Sequence, residues 1–144
     1  KAINSIIETI EKEIKDIQTS LTKNQIIREG IDDILKNNTP ENINLTMEAS
    51  KFEGRQILRD YVGTDTAPAV LQTKKKDVES LINNDINSLT KVQVEIDNIV
   101  ASNLAGDKKA ENLMSNVNDI FKNVPANLDT ISNLDADKVM KLVR

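Results

Sequence analysis

The chain contains no cysteine, no histidine and no tryptophan, and its aromatic residues are only Phe52, Phe121 and Tyr61. Without cysteine there is no disulfide framework and no thiolate metal site. Without histidine the usual general base at neutral pH and the commonest transition-metal ligand are both missing. Ser–His–Asp, Cys–His and HExxH chemistry are therefore impossible, as is the Glu-x-x-His motif of a ferritin-like dimetal site. The four glycines, Gly30, Gly54, Gly63 and Gly106, are too scattered for a phosphate-binding or dinucleotide-binding loop. No apolar run approaches the roughly 18 residues of a membrane span. These absences point to a non-enzymatic protein without a cofactor.

What is present is helical patterning. In the first segment Ile3, Ile7, Ile10, Ile14, Ile17 and Leu21 alternate steps of four and three, and the register resumes at Ile31 and Leu35. Ile6, Ile27 and Ile34 widen that stripe by a flanking column, as a bundle needs. Asn37, Asn38, Thr39 and Pro40 break the pattern, with Thr39 suited to an N-cap and Pro40 to the first helical position. A second helix over about 41–62, irregular before Thr46, would bury Phe52, Ile57, Leu58, Tyr61 and Val62. Gly63 through Pro68 reads as a turn, with Thr66 as the cap of the next helix.

The third helix, about 67–104, carries Leu71, Val78, Ile82, Leu89, Val92, Ile96 and Ile99 in a heptad register interrupted at Lys75 and Asp85. After Ala105 and Gly106, Asp107 caps a fourth arm over about 107–143, which Pro125 ends or kinks. With the first helix at about 2–36, short connections force antiparallel neighbours. The expected fold is a single all-α domain over 1–144, an antiparallel up-down-up-down four-helix bundle with its fourth arm broken near Pro125.

Candidate sites are few. Lys51, Arg55 and Arg59 are four residues apart and would align on one face of the second helix, able to meet an acidic partner surface. Pairing with neighbouring carboxylates or plain solvation is the alternative. Lys74, Lys75 and Lys76 form the densest basic run. No aromatic adjoins them in sequence for base stacking and the net charge is −4, so a solvated helix face is expected and nucleic acid is not a partner. Asn24, Arg28 and Asp85 fall at seam positions, where a buried polar group must be paired, fix register, or reach water at the bundle edge.

Asn133, Asp135 and Asp137 begin the oxygen spacing of a calcium loop, but Lys138 replaces the required Gly and Arg144 the closing Glu. A capped, solvated turn is expected there. Asp32 and Asp33 read as solvated charge, and the sequons at Asn37 and Asn44 as chance matches in an Asn-rich chain.

Ile, Asn and Lys make up about a third of the chain, a bias of AT-rich genomes. The Ile-Lys-Asn-rich opening KAINSIIETIEKEIKDI, the lack of Cys, His and Trp, and the length together resemble the ectodomain of the immunodominant membrane proteins of phytoplasmas. Helical surface lipoproteins of Borrelia are similar in kind. The phytoplasma resemblance implies display on the outer face of a wall-less cell, through a membrane anchor that is not part of this chain. It also implies adhesion to host protein, with actin a suggested partner, and carries over no site residues. The start at Lys1 rather than Met fits an upstream signal or anchor. The expected function is thus a bacterial surface antigen or adhesin, monomeric or weakly oligomeric. The alternative is an intracellular scaffold whose heptad helices pair with another coiled-coil chain.

Overall fold

The structure is a computed structural model that describes residues 2–102 and 108–124. Among these the chain is all-helical: α1 (Ala2–Lys36), α2 (Pro40–Ala49), α3 (Ile57–Val62), α4 (Pro68–Ala101) and α5 (Lys108–Lys122). The segments that hold Pro125, the calcium-like spacing at Asn133, Asp135 and Asp137, and the Asp107 cap lie outside the described residues. No described helix is long and apolar enough to cross a membrane.

The first and third expected helices form nearly as the heptads predict. Each apolar residue placed on the third seam, from Leu71 to Ile99, is buried, as are Ile7, Ile10, Ile14, Leu21 and Ile31 of the first. The flanking column holds at Ile27 and Ile34, which are buried, and fails at Ile6, which is 43% exposed.

The second expected helix does not form as one piece. Thr39 caps α2 as predicted: its backbone is extended, its Oγ1 accepts from Asn42 N–H at 3.2 Å, and Pro40 follows. The helix then stops at Ala49. Phe52 N–H donates to Arg55 O at 2.9 Å and Arg55 N–H donates back to Phe52 O at 3.0 Å. Between them Glu53 (φ 52°) and Gly54 (φ 80°) both have positive φ, the signature of a two-residue type I′ turn. A helix cannot pass through two such residues, so α3 restarts at Ile57 and ends at Gly63, whose φ is 75°. At the entry to α4, Asp65 Oδ1 accepts from Ala67 N–H at 3.1 Å. Thr66, the expected cap, instead gives its carbonyl to Asn38 Nδ2 at 3.0 Å.

The helices cluster into two compact units. One is continuous in sequence, Ser20–Ile82; the other combines Lys1–Thr19 with Asn83–Arg144. α1 and α4 each contribute residues to both, so the division passes through helices and not through a linker. In Ser20–Ile82 the core gathers Ile27, Ile31 and Ile34 of α1 with Met47 of α2, Ile57, Leu58 and Val62 of α3, and Leu71 and Val78 of α4. Gly30 lies buried beside it. A Cβ built there would stand 2.5 Å from Leu58 Cδ2 and 3.0 Å from Ser50 Oγ, so the missing side chain lets α3 approach α1. In the other unit, α5 buries Ala110, Leu113, Val117, Ile120 and Phe121 on one face.

Candidate functional site

Lys51, Arg55 and Arg59 do not form the stripe expected of them. Four-residue spacing aligns side chains only on an unbroken helix. Here Lys51 and Arg55 lie in the connection and Arg59 alone is helical. All three are exposed. Arg55 Nη2 meets Asp60 Oδ2 at 3.3 Å, and Arg59 Nε donates to Gln56 Oε1 at 2.7 Å. Two of the three cations thus have local polar partners in open solvent, where such contacts contribute little to stability. The tight turn holds the backbone under Arg55, and all three side chains face solvent.

The polar groups at the seam are brought together instead. Arg28, only 5% exposed, donates from Nε to Glu79 Oε2 at 2.9 Å, and Glu79 is fully buried. Arg28 Nη1 also stands 4.0 Å from Asp32 Oδ2, whose other oxygen meets Lys75 Nζ at 3.0 Å. A step of four up α1, from Arg28 to Asp32, is matched by a step of four down α4, from Glu79 to Lys75. Within Ser20–Ile82 the two helices therefore run in opposite directions. Asn24 is half-buried and donates from Nδ2 to Ser20 Oγ at 3.3 Å, and Asp85 is half-buried. Glu79 was not legible as a partner because it flanks the α4 seam. Its signal was the spacing of four from Lys75, already known to interrupt that seam.

The basic run is partly absorbed by the fold. Lys74 Nζ sits 5.2 Å from the centroid of the Tyr61 ring, Lys75 is held by Asp32, and Lys76 is exposed. Tyr61 Oη donates to Lys74 O at 3.3 Å, and burial, aided by Asp77, raises its pKa above the ordinary value. That leaves one of three lysines fully in solvent, as a structural helix face would.

In the other unit a groove of about 310 Å³ lies between α1 and α5. Ile14, Leu113 and Ile120 form its floor and are themselves buried, so Glu11, Lys15 and Asp119 at the rim supply much of what a ligand would touch. In the same unit Glu13 is half-buried; desolvation first, and the charge of Glu95 second, push its carboxyl above the usual range. Two carboxylates alone make a poor cation site, and no group of three or more metal-ligating side chains occurs among the described residues. Of the two sequons, Asn37 and Asn44 are exposed but Thr46 is buried in α2.

Compared with protein-family models, curated proteins and solved structures, the chain matches none of them. Its function must therefore be argued from its own residues.

Proposed function

We propose that this chain is the ectodomain of a bacterial surface antigen or adhesin that binds a host protein through exposed helix faces. The observation that carries the reading is where the apolar stripes go. Most apolar heptad positions of α1 and α4 are buried within the chain's own units, with Ile17 and Leu35 half-buried, and so is the apolar face of α5. A partner therefore meets an outer surface of mixed charge with single exposed apolar side chains, among them Leu45, Leu81, Val94 and Val100. This also counts against the scaffold alternative, since pairing with another coiled-coil chain needs a free apolar seam.

In this reading the arms form an up-down-up-down antiparallel bundle. α2 and α3 together make its second arm, and α5 opens the fourth. The opposed run of α1 and α4 in the Arg28–Glu79 and Asp32–Lys75 pairs supports it. Beside the helix faces, the reading takes the exposed Lys51 and Arg55 of the α2–α3 connection and Arg59 of α3 as protein-binding residues, suited to an acidic host surface. The resemblance to phytoplasma immunodominant membrane proteins suggests actin as that host protein and the outer face of the membrane as the location.

Co-sedimentation with actin filaments, alongside a pull-down from host extract, tests the partner. The triple variant K51E/R55E/R59E is expected to bind more weakly with unchanged helicity. Unchanged binding would retire this segment as the site, and a parent chain that neither sediments with actin nor retains any host protein would retire the adhesin reading. The full gene is expected to encode a membrane anchor upstream of Lys1; a cytosolic start codon there would defeat the surface location.

A further inference from the structure

The pairs Arg28–Glu79 and Asp32–Lys75 lie along a seam built mostly from Ile, Leu and Val, which Asn24 and Asp85 also interrupt. Apolar heptads of this kind match one another almost equally well after a slip of seven residues, or when two copies meet. The ion pairs do not. In the native register the level of Glu79 coincides with Arg28; a slip of one heptad in either direction sets it against Leu35 or Leu21. Glu79 would then lie among apolar neighbours without its guanidinium.

We propose that the buried Arg28–Glu79 pair of this ladder is a register-selecting device. It disfavours slipped and intermolecular pairings of α1 with α4 and adds little to net stability. The physical basis is burial. Arg28 and Glu79 are both withdrawn from water, so their attraction chiefly offsets their own desolvation, whereas a register that separates them leaves a buried charge uncompensated. Asp32 and Lys75 repeat the same antiparallel spacing one turn away, but they are partly exposed, so separating them costs little and the selection rests on the buried pair.

The test compares Arg28→Met, Glu79→Leu and the double variant R28M/E79L in the full chain. Urea unfolding, sedimentation over a range of concentrations, and amide NMR spectra are the readouts. Arg28→Met is expected to lower the folding equilibrium constant by about a hundredfold or more, because the buried Glu79 loses its guanidinium, and Glu79→Leu by less, because Arg28 keeps Asp32 at 4.0 Å. The double variant is expected to recover the parent's stability or exceed it. It should also show additional sets of amide resonances or a mass that rises with concentration. A double variant that is as stable as the parent and equally uniform by both measures overturns the proposal. So does one that fails to fold or stays as unstable as the singles, since the pair would then supply stability and not selection. Single variants without effect overturn it as well.

Discussion

Replacing Gly30 by alanine sets two effects of opposite sign against each other. Within a helix, glycine to alanine ordinarily stabilises by about 1 kcal/mol, because alanine loses less backbone freedom on folding. Against this, the new methyl would stand 2.5 Å and 3.3 Å from the two Leu58 methyls and 3.0 Å from Ser50 Oγ. Leu58 is fully buried and Ser50 nearly so, so either side chain must shift against packed neighbours to make room. Overpacking of a dense core costs about 1–3 kcal/mol. The contact at 2.5 Å places this site toward the upper end, so a net loss of about 1–2 kcal/mol is expected. Urea unfolding followed by circular dichroism should show the midpoint falling by roughly half a molar to one molar. Leu58→Ala alone should cost about 2–5 kcal/mol through the cavity it leaves. In the double variant G30A/L58A the alanine methyl grows into that cavity, so the combined loss should be smaller than the sum by about 1–2 kcal/mol. A Gly30→Ala variant more stable than the parent, or strict additivity in the double variant, would refute the close approach of α3 to α1.

Three further outcomes follow from local geometry. Thr39→Ala removes the oxygen that caps α2 and is expected to cost about 1 kcal/mol in thermal or urea unfolding. Glu53→Asn should stabilise by about 0.5–1 kcal/mol, since Asn tolerates positive φ and Asn-Gly is the preferred type I′ pair; a loss of stability would argue against the turn. Glu13 binds its proton more tightly folded than unfolded, so its contribution to stability is fully present below the unfolded value of 4.5 and is lost as pH rises through the raised folded value. Glu13→Gln should therefore stabilise the chain at neutral pH, with the gain vanishing below about pH 4.5; a gain that persists unchanged in acid would show that charge is not its cause.

Where the sequence was legible, a single physical rule operated. Apolar spacing of three and four marked α1, α4 and the described part of the fourth arm, because burial of one helical stripe is what those residues do. The Thr39-Pro40 start was equally readable, since one hydroxyl oxygen and a fixed φ suffice to begin a helix. The break between α2 and α3 was hidden by periodicity itself. Met47 and Leu58, both buried, are eleven residues apart, close to three helical turns, so the pattern stays in phase across a gap that is not helical. Gly54 was the remaining local signal, weakened because Glu-Gly is not the favoured pair for this turn. The candidate site suffered directly: the alignment of Lys51, Arg55 and Arg59 assumed the helix that Gly54 interrupts. Arg28 was recognised as an anomaly in its seam, but its partner lies 51 positions away, and pairing over that distance depends on how helices meet.

The insertion of Ser20–Ile82 between the two halves of the other unit has a consequence for synthesis. A stretch that is continuous in the chain can close its core as soon as its last residue clears the ribosome. The flanking unit cannot, because its first helical segment must wait for residues from Asn83 onward before it has anything to pack against. Vectorial folding is thus expected to be inside-out with respect to sequence. The middle of the chain matures first and draws the start of α1 and the end of α4 together, shortening the search that the later core would otherwise face.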